Sequence, residues 1–260
     1  MTRETAVAID GPVASGKSTL GAALAERLGY TYFDSGVVYR ALTWLALERG
    51  VDVAGGAALA ALARDMDIVV APPDAETAGD ARQFTVLLDG RDVTWSIRSP
   101  EVDRNVSAVS AHPEVRAALT QRLRRLAEGG RMVMVGRDIG TVVLPHAALK
   151  IYLTASPEER ARRRFTESQA RGVPVDYPAI LADLRRRDAL DSERAAAPLR
   201  PAPDALILAS DHLTTGELVD QVLRAAEQTK DGGRRTKDAG RSTQHEPRSA
   251  GDGAGKGRPA

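Results

Sequence analysis

Residues 5–29, TAVAIDGPVASGKSTLGAALAERLG, carry a strand, a glycine-rich turn and a helix in direct succession. The first apolar run is typical of a buried strand, and Leu20, Leu24 and Leu28 recur at the four-residue spacing of a helix. Between them, residues 11–18 match G-x-x-x-x-G-K-[ST] in full. This pattern between a strand and a helix predicts a phosphate-binding loop, or P-loop.

The P-loop has the chemistry needed to hold a nucleoside triphosphate. Its glycines allow backbone N–H groups to turn towards phosphate oxygens, and the following helix directs its positive end at the same anion. Lys17 is expected to reach the outer phosphates, and the Ser18 hydroxyl is expected to join the shell of an accompanying Mg²⁺ ion. The predicted ATP-binding residues are Gly11, Pro12, Val13, Ala14, Ser15, Gly16, Lys17, Ser18 and Thr19.

Four further apolar runs, separated by helical patterns, complete a predicted sheet. They are YTYF at 30–33, MVMV at 132–135, KIYL at 150–153 and ALIL at 205–208. Continuous apolar strands that alternate with helices indicate a parallel sheet covered on both faces. We therefore predict an α/β fold with a five-stranded parallel sheet flanked by helices.

One region, at about residues 64–98, interrupts this alternation. DIVVA at 67–71 and QFTVLLDGRDVTW at 83–95 look like antiparallel strands, joined by the proline- and glycine-containing residues 72–81. The pair Asp89-Gly90 is a typical hairpin turn. The sequence therefore predicts a small antiparallel β lobe, inserted after the second strand of the main sheet.

Three helix starts carry recognisable signals. Ser156-Pro-Glu-Glu159 and Thr214-Thr-Gly-Glu217 each place a capping hydroxyl three residues before a glutamate. The pair His112-Pro113 ends one helix and opens the next, because proline is favoured in the first helical turn.

The composition of the 260-residue chain excludes several classes of protein. It has no Cys, which excludes disulfides and thiolate metal sites, and no apolar run approaches the roughly 20 residues that span a bilayer. Residues 1–229 hold 28 Lys+Arg against 31 Asp+Glu, a formal charge of −3, which does not suit a broad nucleic-acid binder. We expect a cytoplasmic protein without a membrane partner or a specific nucleic-acid partner.

The last residues, 230–260, differ in composition from the rest of the chain. They hold 8 Lys+Arg against 4 Asp+Glu and no Leu, Ile, Val or aromatic residue. Such a segment cannot bury enough apolar surface to offset the entropy of ordering it. The sequence therefore predicts one folded domain over 1–229 and a disordered basic tail over 230–260.

A P-loop predicts the phosphoryl donor but not the acceptor, and the length of this chain favours a small-molecule kinase. Such an enzyme needs a second anion-binding pocket, because phosphoryl transfer is mostly positioning and electrostatic stabilisation of phosphate oxygens. Four arginine-containing segments can supply it: Asp34 to Arg40, Arg98 to Arg116, Gly136 to Gly140 and Arg185 to Arg194. Each segment by itself could also be a solvated charged surface.

Two of the charged clusters permit a more specific expectation. Arg187, Asp191 and Arg194 fall at i, i+4 and i+7, which predicts one helical face. A second cluster, residues 160–164, begins a basic helix that could close over the triphosphate as a lid, at about residues 156–172, and exclude water.

The stretch VGRDIG, residues 135–140, poses a separate question. Asp138 follows a predicted strand, where it could hold a Mg²⁺ ion, contact a substrate or cap a helix. The flanking Gly136 and Gly140 would permit a sharp turn of the backbone at this point.

The motifs GPVASGKST, DSGVVYR, IRSPEV, VGRDIGTVVLP and RAAAPLRPAPDALIL occur in this order. Together they resemble bacterial cytidylate kinase, a P-loop nucleoside monophosphate kinase that moves the γ-phosphate of ATP to CMP or dCMP. The resemblance runs from about residue 6 to residue 227 and includes the insertion, which looks like the CMP-binding lobe of the bacterial type. It implies a role in pyrimidine nucleotide metabolism, with Mg²⁺ as cofactor.

The resemblance also implies roles for residues that match the family motifs. The CMP phosphate region would be bound by Arg40, Arg137 and Arg187, and the phosphate or ribose by Ser35, Asp191 and Arg194. The cytosine would be read by Ser107, Arg116 and Asp138. Taking the P-loop, lid and acceptor-pocket arguments together, the residues predicted to be catalytic are Lys17, Arg137, Arg187 and Arg160. Ser18, the predicted Mg²⁺ ligand, stands where some relatives have Gly, so its contact with the ion is predicted from the P-loop pattern and not from the family.

The chemistry of cytosine supports a base-reading role for Asp138. Cytosine presents an amino donor at position 4, which a carboxylate accepts, whereas uracil presents a carbonyl there. A buried mismatch of this kind costs about 1–3 kcal/mol, so CMP and dCMP should react far better than UMP. A metal-binding role for Asp138 is the alternative.

Two other functions are compatible with a P-loop. One is a different small-acceptor kinase, such as one resembling shikimate kinase, although that family is shorter and lacks the antiparallel insertion. The other is a nucleotide-sensing protein without turnover, against which the arginine-rich second pocket argues. A kinase of this size is expected to be a monomer.

Overall fold

The computed structural model describes residues 5–71, 78–80, 82, 84–170 and 172–239. In chain order its main elements are β1 (Val7–Asp10), α1 (Lys17–Leu28), β2 (Thr31–Asp34), α2 (Gly36–Glu48), α3 (Gly56–Asp65), β3 (Ile68–Ala71), β4 (Thr85–Leu88), β5 (Arg91–Asp92), α4 (Pro100–Ala111), α5 (Pro113–Leu126), β6 (Met132–Gly136), β7 (Leu149–Thr154), α6 (Pro157–Ala170), α7 (Tyr177–Glu193), β8 (Leu206–Ala209) and α8 (Thr215–Ala239).

Five strands form the predicted parallel sheet, in the order β2-β6-β1-β7-β8. All four pairings are parallel, and β1 lies in the middle, with Val7 opposite Val133 of β6 and Leu149 of β7. Each predicted apolar run overlaps an observed strand, and the ends of the two differ by at most two residues. Because β1 has neighbours on both sides, the P-loop that follows it lies at the centre of the sheet's carboxyl edge, where parallel sheets bind ligands.

The predicted antiparallel lobe is also present, as a three-stranded sheet in the order β3-β4-β5. Its hairpin turn is the predicted Asp89-Gly90, with φ angles of 49° and 77°. Two successive residues at positive φ are the geometry of the tight turn that matches strand twist. Part of the predicted connection, residues 72–77 and 81, lies outside the described residues.

One apolar cluster joins the sheet, the helices on one of its faces and the inserted lobe. It includes Ala8 and Met134 of the sheet, Leu42 of α2, Leu119 of α5 and Val86 of β4. The lobe therefore shares the core of the parallel sheet. This common packing fixes α4, which follows the lobe, beside α2 and α7.

The predicted helix starts are confirmed. In α6 the Glu159 N–H donates to Ser156 Oγ at 3.3 Å, and before α8 the Thr214 N–H donates to a Glu217 carboxylate oxygen at 2.8 Å. The break at His112 separates α4 from α5 as predicted.

The chain divides into two compact units, of which the first ends at Asp220 and the second begins at Gln221. In its described part the second unit is the remainder of α8, which continues to Ala239, past the predicted start of the tail at Lys230. The rest of the predicted tail, residues 240–260, lies outside the described residues. Over the described ranges, no helix combines the length and apolar character that crossing a membrane requires.

Candidate active site

The P-loop forms the turn between β1 and α1, and its backbone uses conformations that favour glycine. Gly11 and Gly16 have φ angles of 151° and 92°, and Ala14 between them also has a positive φ, of 61°. A Cβ atom on Gly11 would lie 2.0 Å from the carbonyl oxygen of Leu153 in β7. Glycine is therefore required there by close packing as well as by conformation.

Lys17 is the first residue of α1, and its ammonium group is buried. Its Nζ donates to the carbonyl oxygen of Pro12 at 2.6 Å, so the side chain folds back over the loop. Burial, followed by the positive charge of Arg137, lowers the pKa of Lys17 well below its usual value. Three carboxylates oppose this effect: Asp34, Asp10 and Asp191. Lys17 thus interacts electrostatically with Arg137 and Asp191, two residues of the predicted acceptor pocket.

A carboxylate stands beside Ser18, the predicted Mg²⁺ ligand. The Ser18 hydroxyl donates to Asp34 Oδ2 at 3.2 Å, while Asp34 Oδ1 accepts from the Gly36 N–H at 2.9 Å. Two hard oxygen donors next to a P-loop suit Mg²⁺, which usually takes one or two carboxylates and completes its shell with phosphates and water. Among the described residues, no group of three or more His, Cys, Asp or Glu side chains is placed to hold a metal.

Asp191 joins two of the predicted acceptor-binding arginines. Its Oδ2 accepts from Arg137 Nε at 2.9 Å, and its Oδ1 lies 3.5 Å from Arg194 Nη1. The prediction that Arg194 lies on the same helical face was wrong, because α7 ends at Glu193 and Arg194 has an extended backbone, with ψ of 139°. The side chains still meet because the chain turns back after the helix, with Arg194 Nε donating to the Ala197 carbonyl at 2.6 Å.

Arg116 and Asp138, two of the three predicted base-reading residues, form a buried ion pair. Arg116 Nη2 lies 2.5 Å from Asp138 Oδ2, and the residues are only 5% and 3% exposed. The guanidinium also lies over the ring of Tyr39, 5.3 Å from its centroid. Burial acts against the charge of Arg116, but its interactions with Tyr39 and Asp138 outweigh burial and raise the pKa of Arg116.

Several polar atoms around this ion pair have no hydrogen-bond partner within the part of the chain that the structure describes. They are Tyr39 Oη, Arg116 Nε and Arg194 Nη2. Burial raises the pKa of Tyr39 to about 12, so the phenol stays protonated and able to donate. The third predicted reader, Ser107, is half-buried in α4, and over the described residues its hydroxyl makes no hydrogen bond to Arg116 or Asp138.

Asp10, at the end of β1, holds the turn that carries Arg137 and Asp138 in place through hydrogen bonds. Both Asp10 carboxylate oxygens accept backbone N–H groups at 2.7 Å, from Ile139 and Gly140. These residues begin a single π-helical turn, Ile139–Val143. Burial is the main cause that raises the pKa of Asp10 to about 6, and the neighbouring charge of Asp138 adds to it.

The predicted reason for the glycines in VGRDIG was wrong. Neither Gly136 nor Gly140 has a positive φ, so conformational freedom is not what this turn needs. Space is needed instead: a Cβ on Gly136 would lie 2.5 Å from Ser35 Oγ, and one on Gly140 would lie 3.3 Å from Asp10 Oδ2. Ser35 itself donates to the Val135 carbonyl at 2.8 Å, which places this predicted residue beside the same turn.

The two remaining predicted phosphate ligands, Arg40 and Arg187, meet at Asp103 of α4. Arg40 Nη2 lies 2.6 Å from Asp103 Oδ1, and Arg187 Nη2 donates to the Asp103 carbonyl oxygen. Arg164 of α6 approaches the same carboxylate, at 3.5 Å. Arginines from three helices therefore converge on one residue of a fourth.

The basic start of α6 is tied to the P-loop. Arg160, predicted to be catalytic, is buried, forms a two-pronged pair with Asp188 at 2.5 and 3.0 Å, and donates to the Val13 carbonyl at 3.2 Å. Arg163 donates to both oxygens of Ser210, whose hydroxyl in turn donates to the Ser15 carbonyl at 2.9 Å. The first turns of the predicted lid are thus anchored in this structure.

Sequence reasoning missed three carboxylates that organise this site. Asp10 and Asp34 end strands next to the P-loop, and that position was the available signal for both. Asp103 lies within an ordinary-looking helix, and no feature of the sequence distinguished it. Its importance arises only from the arginines that other helices bring to it.

Comparison with known proteins is consistent with this geometry. The sequence profile of the family described as cytidylate kinase matches residues 7–228. This chain belongs to the cytidylate kinase family. It is 51% identical over 223 residues to a cytidylate kinase of Herpetosiphon aurantiacus, an alignment that covers 86% of this chain and 94% of the relative. Cytidylate kinases of Roseiflexus castenholzii and Geobacillus kaustophilus are 49% and 48% identical, over 89% and 88% of this chain and 97% and 99% of the relatives.

Membership of the cytidylate kinase family agrees with the fold described above. The five-stranded parallel sheet carries the P-loop at the end of its middle strand, and the antiparallel lobe is inserted between α3 and α4. The family match ends two residues before Lys230, so it leaves the predicted tail outside.

Proposed function

We propose that this protein transfers the γ-phosphoryl group of ATP to CMP or dCMP, yielding ADP and CDP or dCDP, in pyrimidine nucleotide metabolism. Membership of the cytidylate kinase family supports the proposal. The observation that carries it is the buried Arg116–Asp138 ion pair. Asp138 directly follows Arg137, which pairs with Asp191, and the charges of Arg137 and Asp191 both act on the pKa of Lys17. Under this proposal, a donor-phosphate group, an acceptor-phosphate group and a base-reading pair would form one continuous site.

The donor would be held by the P-loop, Gly11 to Thr19. Lys17 would leave the Pro12 carbonyl and donate to the outer phosphates of ATP, a better partner for a buried ammonium. The triphosphate would also offset the low pKa of Lys17, because its negative charge favours the protonated form. The positive end of α1 adds to this attraction.

The acceptor would lie across the turn after β6. Asp138 would accept from the cytosine amino group, while Arg116, held by Asp138 and stacked on Tyr39, would donate to the acceptor atoms of the base. Ser107 would complete the reading of the base after a rotation of its side chain. Ser35, Asp191 and Arg194 would bind the ribose or phosphate.

The phosphate of the acceptor would be bound by Arg40, Arg137 and Arg187. Arginine suits this task because its planar fork of donors matches phosphate oxygens and remains charged when partly buried. The charge of Arg137 is the second cause, after burial, that lowers the pKa of Lys17, and Arg137 is the proposed bridge between the acceptor phosphate and the transferred group. No separate base is needed, because positioning and charge stabilisation dominate this reaction.

Magnesium bound with ATP is part of the proposal. Ser18 and Asp34 would hold it, directly or through water, next to the phosphates. When bound, the ion neutralises charge that develops on the phosphate oxygens. Asp138 is already committed to Arg116, which leaves it poorly suited to the metal.

The lobe at about residues 64–98 would close over CMP, and α6, in the predicted lid at about 156–172, would shield the triphosphate from water. Arg160 would act from its anchored position beside Val13 of the P-loop. We further propose that the protein acts as a monomer. Nucleotide substrates support a cytoplasmic location.

A panel of monophosphates tests this function. ADP release should be measured with ATP, Mg²⁺ and each of CMP, dCMP, UMP and AMP. CMP and dCMP should exceed UMP by at least about 10-fold, the discrimination that one buried hydrogen-bond mismatch supplies. Equal turnover of AMP or UMP would reject the substrate assignment. ADP formation that does not depend on any of these monophosphates would indicate hydrolysis of ATP, and no ADP formation at all would favour a different acceptor or a nucleotide sensor.

A further inference from the structure

Asp103 is surrounded by three arginines from three different helices. Its carboxylate lies 2.6 Å from Arg40 of α2, 3.5 Å from Arg164 of α6 and 4.0 Å from Arg187 of α7. Its backbone carbonyl also accepts from Arg187. The carboxylate is only 26% exposed, so solvent screens these interactions incompletely.

The arrangement places three like charges close together, which is unfavourable without an anion. Arg187 is buried, and burial, together with the charges of Arg164 and Arg40, lowers its pKa despite the presence of Asp183 and Asp103. Asp183 pairs with Arg187 Nε at 3.1 Å but contacts neither Arg40 nor Arg164. Asp103 is therefore the shared counter-charge of the group.

We propose that Asp103 is an internal counter-anion that occupies the acceptor-phosphate site and is displaced when a phosphate dianion binds. This inference rests on the proposed function for the identity of the physiological phosphate, but not for the existence of the anion site. A carboxylate and a phosphate present similar oxygen acceptors to a guanidinium fork. A phosphate has one more oxygen and a larger charge, so it can serve all three arginines at once.

The position of Asp103 gives the exchange a structural consequence. Asp103 lies in α4, which follows the β lobe, whereas Arg164 belongs to the predicted lid. In the ligand-free protein the carboxylate joins these elements and orders the arginines. Release of Asp103 by phosphate frees α4 to adjust to the rest of the acceptor. Arg164, for which no role was predicted individually, becomes a phosphate ligand.

Inorganic phosphate is a suitable probe, because it tests the anion site without requiring catalysis. Its binding to the full chain should be measured by thermal shift and calorimetry, against chloride at equal ionic strength. In Asp103→Asn, which keeps the shape but removes the charge, the Kd for phosphate should fall by about 3- to 10-fold, since a competing charge-assisted hydrogen bond is lost. The ligand-free variant should have a lower Tm than the wild type, and phosphate should restore it.

Two further variants separate this mechanism from simple damage to the structure. Glu101→Gln removes the same charge from an exposed position in the first turn of α4 and should leave the Kd unchanged. Asp103→Glu keeps the charge and should restore the wild-type Kd. If Asp103→Asn binds phosphate more weakly than the wild type, or with the same Kd as Glu101→Gln, then Asp103 does not compete with phosphate. The inference would then be overturned.

Kinetics provide an independent readout. With CMP as acceptor, Asp103→Asn should lower the KM for CMP by about the same factor as the Kd for phosphate, while kcat changes less. The reason is that the substitution removes only the competition between Asp103 and the acceptor phosphate in the ground state. A purely structural role would instead raise the KM and lower kcat. The two proposals can fail separately. If the wild type shows no CMP-dependent turnover, but Asp103→Asn has the expected lower Kd for phosphate, the proposed function fails and this inference stands.

Discussion

The Asp138 carboxylate and the Arg116 guanidinium, 22 positions apart in the chain, form an ion pair in the interior, with 2.5 Å between Oδ2 and Nη2. A buried pair of this kind gains little stability, because the cost of removing both charges from water offsets their attraction. It does hold both groups in one fixed orientation. A site that must distinguish an amino group from a carbonyl needs such an orientation.

Replacement of Asp138 by Asn should therefore narrow the preference for CMP over UMP. The amide can donate to the uracil carbonyl, so kcat/KM for CMP should fall by about 10- to 100-fold while that for UMP falls less or rises. The ratio of kcat/KM values, measured with both acceptors on the same preparation, checks this. An unchanged ratio would show that Asp138 does not read the base.

Replacement of Lys17 by Met should abolish most of the activity without unfolding the protein. Methionine fills a similar apolar volume, and the buried ammonium, whose single hydrogen-bond partner among the described residues is the Pro12 carbonyl, contributes little to stability. We expect kcat to fall by about 100-fold or more, the scale of losing one electrostatic contact to the transition state. A normal Tm would serve as control, and a kcat within a few-fold of the wild type would contradict the assignment.

Asp34 is predicted to govern the requirement for Mg²⁺ together with Ser18. Asp34→Asn keeps the oxygen that caps the Gly36 N–H but lowers the negative charge beside the phosphates. The Mg²⁺ concentration for half-maximal activity should rise by about 10-fold, as a charged ligand is worth roughly 1.5–3 kcal/mol. Glu48→Gln, at the exposed far end of α2, removes the same charge and should have no such effect. Chelation of the metal should abolish turnover in every variant.

Asp10 is predicted to make the ligand-free protein less stable as the pH rises. Its pKa is raised from 3.8 to about 6 in the folded state, so its contribution is complete below pH 4 and is lost as the pH passes 6. Between pH 4 and 7, the free energy of unfolding of the wild type, relative to Asp10→Asn, should fall by about 2 kcal/mol. Denaturant titrations of both proteins across this range measure the difference. A difference that is constant with pH would contradict the raised pKa.

The sequence alone determined the scaffold and its chemical class. The strand, P-loop and helix over residues 5–29 depend on contacts between near neighbours, and so do the hairpin at Asp89-Gly90 and the cap at Ser156. Local backbone preference and apolar periodicity act over a few residues, so a sequence pattern can report them. The family motifs also indicated which class of molecule accepts the phosphoryl group, because they specify residue types at several distant positions together.

Only the tertiary structure decided which charges face each other. Arg194 meets Asp191 although it lies beyond the helix, because the chain turns back after α7. Asp103 acquires its significance from three arginines that lie 63, 61 and 84 positions away in the chain. The free energy of a charge depends on burial and on every neighbour within a few ångströms. Those neighbours are set by how the lobe and helices pack, which no local pattern records.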